Sequence, residues 1–165
     1  MATFLRHQHH ELPGDLMAFI YVASSWRCER QPSVVETLRG DGHDVYDFRA
    51  PPGGSGFSWK DVEPGDLSVP ASNGSPLVDV ETYLAMVNHP VAVAGYDVDL
   101  AAMKEADTCV LVLPCGRSAH LELGWFVGKG KRTAILLETE MEPELMYRLV
   151  DVMTHDLDVI RRWLG

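Results

Sequence analysis

Apolar residues recur along this chain in two rhythms. Short unbroken runs of β-formers fall at Met17–Ala23 (MAFIYVA), Val45–Phe48, Thr108–Leu113 and Arg132–Leu137. Runs of that kind are expected of parallel strands buried on both faces. Between and after them the spacing turns helical, which predicts helices over Pro32–Arg39, Val78–Asn88, Val91–Ala106, from Ser118 to about Gly128, over Glu144–Val150 and over Leu157–Leu164. Val152–Thr154 reads as an edge strand. Gly40–Gly42 ends the first helix, and Pro32 suits an early helical position. Strand, loop, helix and strand within about thirty residues make a βαβ unit.

The alternation predicts an α/β fold: a doubly wound, flavodoxin- or Rossmann-like sheet of four or five parallel strands with helices on both faces. In such sheets ligands bind at the carboxyl ends of the strands. Two loops are expected there, Ser24–Arg27 after the first strand and Pro114–Ser118 after the third. The second belongs to the most informative stretch, LVLPCGRSAHLELGWFVGKGK, Leu111 to Lys131. Ser118 is the expected N-cap, Leu121, Trp125 and Val127 or Gly128 the expected apolar face, and Gly128 with Gly130 the stop. Glu122 falls about one turn inside this helix. By position alone it complements the helix dipole; at a ligand-binding edge it is also a carboxylate available for chemistry.

Length and composition narrow the classes. A chain of 165 residues suits one domain, read as 18–165 behind a flexible leader at 1–17. The leader holds His7, His9 and His10, which could bind a metal but sit in a polar tail without an apolar signal core. A formal charge of −10 disfavours nucleic-acid polymers and membrane surfaces as partners. No apolar run approaches a membrane span. Cys28, Cys109 and Cys115 have neither metal-ligand nor disulfide spacing, which fits a reducing, cytoplasmic setting. Cys115 reads either as a reactive thiol or as a small structural residue, with no obvious base near it in sequence. No G-x-G-x-x-G follows the first strand and no G-x-x-x-x-G-K-[ST] occurs, so a dinucleotide fingerprint and a P-loop are both lacking.

What remains at the shared edge is a set of carboxylates, Asp47, Asp97, Asp99 and Glu122, with cations Arg27, Arg49 and Arg117 and hydroxyls Tyr21, Ser24, Ser25 and Ser118. Two carboxylates in different environments suit glycosyl transfer: one attacks the anomeric carbon and the other handles a proton. Arginines beside a helix N-terminus suit a phosphate. A Gly-, Pro- and Ser-rich stretch from Arg49 to Pro76 carries Phe57 and Trp59. Two readings of these aromatics stand level: stacking on a ligand ring, or anchoring the loop.

Three segments in order resemble the nucleoside 2-deoxyribosyltransferase family and the related nucleoside 5′-monophosphate N-glycoside hydrolases. They are IYVASSWRCERQ (Ile20–Gln31), YDVDLAAMKEAD (Tyr96–Asp107) and HLELGWFVGKGK (His120–Lys131). The last resembles the signature E-[LI]-G-x-x-x-x-x-[GN]-K and is the most specific. The resemblance implies Glu122 as nucleophile on C1′, Asp99 as acid/base or ribose-positioning carboxylate, and Tyr21 as a hydrogen-bonding guide for Glu122. It implies Ser24, Arg27, Arg117 and Ser118 at the ribose 5′ end and Asp47, Phe48, Phe57 and Trp59 near the base; Arg49, Gly116 and His120 are counted as further substrate-binding candidates. It also implies a small-molecule nucleoside or nucleotide substrate, no cofactor or metal, and a homo-oligomer. Position 116 is Gly where the transferases tend to carry Asp and the hydrolases Ser, and position 120 is His where a small residue is commoner. His120 is therefore either a second proton carrier, a steric filter or a surface histidine. Arg117 and Ser118 tilt the expectation toward a 5′-phosphorylated substrate. The alternatives are a glycohydrolase of nicotinamide-nucleotide or ADP-ribose ligands, and a non-catalytic nucleotide sensor. A redox flavoprotein is more distant, resting on fold analogy.

Overall fold

The computed structural model describes residues 3–5, 17–62 and 77–165. His7, His9, His10 and the part of the Gly/Pro/Ser stretch from 63 to 76 lie outside the described residues. The strands are β1 (Phe4–Leu5), β2 (Phe19–Ala23), β3 (Asp44–Asp47), β4 (Thr108–Val112), β5 (Arg132–Leu136) and β6 (Val152–Thr154); the helices are α1 (Gln31–Gly40), α2 (Val80–Val87), α3 (Pro90–Glu105), α4 (Arg117–Gly128) and α5 (Leu157–Leu164). They fall into two compact units, one comprising the residues up to Asp47 with Ala102–Gly165, the other Phe48–Ala101.

The sheet belongs to the first unit and runs β1-β6-β5-β4-β2-β3. The run β3-β2-β4-β5-β6 is parallel throughout, as its unbroken apolar sequences require; every residue of β4 is buried. Numbered among themselves, the parallel strands have the order 2-1-3-4-5 of flavodoxin-like sheets, with the chain reversing direction across the sheet between β2 and β4. Val152–Thr154, read as an edge, is not one: Phe4 and Leu5 pair antiparallel with it. That pair lies inside the stretch read as a leader, and two residues are too few to show a periodicity.

Alternation along the strands sorts the core into two faces. Ile20, Val22, Val110, Val112, Ala134 and Leu136 pack with Val34, Val35 and Leu38 of α1 and Ile160 and Leu164 of α5. On the other face Tyr21 stacks on Tyr46 with ring centroids 5.2 Å apart and meets Phe126 of α4 at 5.7 Å. The buried residues of α4 are Ala119, Leu123 and Phe126, at i, i+4 and i+7. The sequence expectation for Leu121 is thereby corrected, for it is 76% exposed, while Trp125 is half-buried. The helix is apolar on several sides, and Ala119, being small, carries little signal.

Residues of the resembling segments prove structural here. Asp107 clamps the start of β2, its carboxylate accepting from the Phe19 N–H at 3.1 Å and its own N–H donating to the Phe19 carbonyl at 2.8 Å. Lys131 caps the last turn of α3, its ammonium donating to the carbonyls of Met103 at 3.0 Å, Lys104 at 2.7 Å and Ala106. Its neighbour Arg132 caps α5, donating to the Trp163 and Leu164 carbonyls and lying over the Trp163 ring. Adjacent strand-edge residues thus close two different helices. Lys131→Met keeps the stem and removes the donors, so it is expected to lower stability by about 1–3 kcal/mol. A denaturant midpoint equal to wild type would show that the three carbonyls are satisfied without the ammonium.

The second unit has its own small core of Val62, Met86 and Ala92, with Phe57 and Val78 packed against it. Its loop contains a turn of 3-10 helix, Trp59–Asp61, closed by a reciprocal capping box between Ser58 and Asp61. Phe57 meets Trp59 edge-on at 4.9 Å. It also lies on Gly95 of α3, where a Cβ would stand 2.7 Å from the Phe57 Cβ. A Cβ is fixed to the backbone and cannot swing aside, so Gly95→Ala must push the loop. The resulting strain, about 1–3 kcal/mol, outweighs the alanine's helix-propensity gain of about 1 kcal/mol. Thermal unfolding is expected to begin lower in Gly95→Ala, and a raised midpoint would mean that Phe57 is not held on α3.

Candidate functional site

The crevice at the carboxyl ends of β2 and β4 is the place where the sheet order reverses, and the first unit gathers most of the candidate residues around it. Ser24 follows β2 directly; its hydroxyl donates to the Val112 carbonyl at the end of β4, 2.8 Å away. Cys28 reinforces this, its Sγ lying 3.5 Å from the Leu113 carbonyl. The two loops are therefore stitched side by side, with Arg27 exposed on one and Arg117 and Ser118 exposed on the other. Arg30 reaches a third, donating to the Leu137 carbonyl after β5 at 2.9 Å.

The N-cap of α4 is Gly116, not Ser118, which sits in the first turn. No side chain caps this end, and a Cβ built on Gly116 would meet nothing within 4 Å. Glu122 lies further along α4, half-buried. Its carboxylate comes close enough to two thiols to shift them. Cys109 is pushed well up, by burial first and by Glu122 second. Cys115 is pushed up to about 12 by the same two causes in the same order. Both thiols therefore stay protonated at neutral pH, and Cys115 is no ready nucleophile. Cys109 is also the register partner of Tyr21, on the face that α4 covers. The Glu122 charge is thus felt at the strand residue that pairs with Tyr21.

Asp47 ends β3, half-buried, and accepts a hydrogen bond of 2.7 Å from the Gln31 side-chain amide. Gln31 is fully buried at the start of α1, and its amide oxygen has no hydrogen-bond partner among the described residues. Sequence reasoning missed it, as it missed Tyr147. That tyrosine meets His120 Nε2 with its hydroxyl at 2.7 Å, while His120 Nδ1 lies 2.8 Å from the Gly116 carbonyl. Cys115, which seemed in sequence to lack a base, has its Sγ 3.5 Å from His120 Nδ1.

The remaining candidates belong to the second unit. Asp99 is half-buried on α3, and Phe48 and Arg49 follow β3, the guanidinium lying 5.8 Å from the Phe48 ring centroid. Phe57 is part of the unit's core, as the anchoring reading requires, while Trp59 is 40% exposed. Among the described residues no group of three or more His, Cys, Asp or Glu side chains could hold a metal ion.

The strand order defines a flavodoxin-like α/β protein, and α4, the helix that follows the switch-point loop, carries Glu122. No protein-family model and no curated protein matches the chain. Among solved structures it is similar to a 2-deoxyribosyltransferase from the psychrotolerant bacterium Bacillus psychrosaccharolyticus, at 21% sequence identity and a TM-score of 0.52, over 87% of this chain and 90% of that one. The shared feature is the fold.

Proposed function

We propose that this protein breaks, or breaks and re-forms, the N-glycosidic bond of a nucleoside or nucleoside 5′-monophosphate through a glycosyl ester on Glu122. The observation that carries the reading is the half-buried Glu122 on the helix that leaves the switch-point loop, its charge felt at the register partner of Tyr21. The fold shared with a protein described as a 2-deoxyribosyltransferase supports it.

Glu122 attacks C1′. The C1′–O bond forms as the C1′–N bond breaks, and the electron pair leaves with the base. Asp99 gives the departing nitrogen its proton. Water then attacks C1′, Glu122 leaves as carboxylate and the water proton returns to Asp99; a second base in place of water gives exchange. Tyr21 orients Glu122. Ser24, Arg27, Arg117 and Ser118 hold the 5′ end, where the uncapped start of α4 favours an anion. Asp47, oriented by Gln31, faces the base with Phe48, Arg49 and Trp59. No cofactor or metal enters these steps. Cys28, Cys109 and Cys115, none of them in a disulfide, fit a cytoplasmic setting. Exposed apolar side chains on α2 and α3, Val80, Tyr83, Leu84 and Tyr96, are the surface on which a second copy docks, so sedimentation should show more than a monomer.

Chromatography of free base tests the reading. The protein is incubated with ribo- and deoxynucleosides and their 5′-monophosphates, with and without a second base. Base released from one monophosphate identifies a hydrolase and its substrate, and incorporation of the second base identifies a transferase. Silence from folded protein across the panel overturns the proposal.

A further inference from the structure

The connection between β5 and β6 carries a turn of 3-10 helix, Leu145–Leu149, where the sequence reading has a short helix over Glu144–Val150. Around Tyr147 this turn is exposed: Leu145 is 75% accessible, Met146 59% and Leu149 42%, whereas Tyr147 is 9%. One side chain is turned inward, and it ends on His120. The imidazole lies nearly parallel to the phenol, 15° between ring planes. A carbonyl oxygen can only accept, so Nδ1 carries the proton that goes to Gly116. Nε2 of the neutral ring is then an acceptor, and the tyrosine hydroxyl donates to it. Burial, Cys115 and Glu144 push the Tyr147 phenol up, which keeps that hydroxyl protonated.

We propose that Tyr147 is a positioning residue: through His120 it sets the Gly116 carbonyl, and with it the turn from β4 into α4 that holds the substrate's 5′ end. The proposal rests on the glycosidic reading of the site for its substrate, but not for its geometry. His120 is placed by its two ring nitrogens as a strut between two segments, and the proton-carrier reading is not needed to account for it. Because the tyrosine sits outside the β4–α4 segment, the connection that bears it can alter substrate binding without touching the nucleophile.

Three substitutions in the full chain separate the bonds. Tyr147→Phe removes only the hydroxyl. His120→Asn keeps a donor for Gly116 and loses the tyrosine, while His120→Gln keeps an acceptor for the tyrosine and loses Gly116. Amide hydrogen exchange over residues 114–120 is expected to quicken in all three. On the monophosphate that wild type cleaves, KM is expected to rise about tenfold in Tyr147→Phe while kcat changes less than about threefold. Unchanged exchange, or quickened exchange with KM unmoved in an active enzyme, overturns the proposal. If wild type is silent on every substrate, the glycosidic reading fails, and exchange alone decides whether the strut holds the turn.

Discussion

Glu122→Gln is expected to abolish base release, by at least about a thousandfold in kcat, with the protein still folded. A carboxamide fills the same space beside β4 but cannot form the ester and offers no charge to the developing oxocarbenium ion. The substitution carries an internal control that does not depend on turnover. The Glu122 carboxylate helps hold the Cys115 thiol up near 12, so removing its charge must lower that thiol. Cys115 should then alkylate faster at a given alkaline pH in the variant than in wild type. Loss of base release together with faster alkylation places the carboxylate where the structure has it and makes it the working group. Undiminished base release would remove Glu122 as nucleophile.

Gly116→Asp is expected to cost about a hundredfold in kcat/KM on a 5′-monophosphate while sparing the free nucleoside. The N-cap of α4 has room, since a Cβ there meets nothing within 4 Å. Its φ of −97° is open to any residue. An aspartate would cap the first-turn amides and satisfy the positive end of the helix with its own charge. Its effect on stability should be only a few tenths of a kcal/mol, because glycine is already an acceptable cap. A substrate phosphate would meet the same amides already occupied, and a like charge beside them. Gly116→Ser caps without charge and should retain most of the monophosphate activity. Equal loss with serine and aspartate would point to crowding, and no loss with aspartate would move the 5′ end away from α4.

The parallel sheet was legible because it depends on a local signal. Thr108–Val112 is apolar or β-branched at every position and is buried at every position. Boundaries mostly shifted by one or two residues. The register of α4 was not legible, since Leu121, Leu123, Trp125 and Phe126 offer competing faces and only packing against Tyr21 selects Phe126. Preference for serine at helix starts pointed to Ser118, but the turn out of β4 is short and the helix begins at Arg117. Glu122 could be singled out because its signature lies within ten residues. Gln31 with Asp47 and His120 with Tyr147 span 16 and 27 residues, and no periodicity reports a hydrogen bond across such a distance.

The twin caps at Lys131 and Arg132 have a consequence for how charge is spread through the first unit. In a parallel α/β layer the helices run against the strands, so their C-termini gather at one rim and their N-termini at the other. At the rim where β5 starts, the carbonyl ends of α3 and α5 are met by Lys131, just before the strand, and by Arg132, its first residue. At the opposite rim α4 opens on a glycine without a side-chain cap. The molecule as a whole is acidic, with a formal charge of −10. Among the described helices α1 likewise starts without a side-chain cap, so an anion repelled by the surface at large is met at this rim by helix ends whose amides no side chain has claimed.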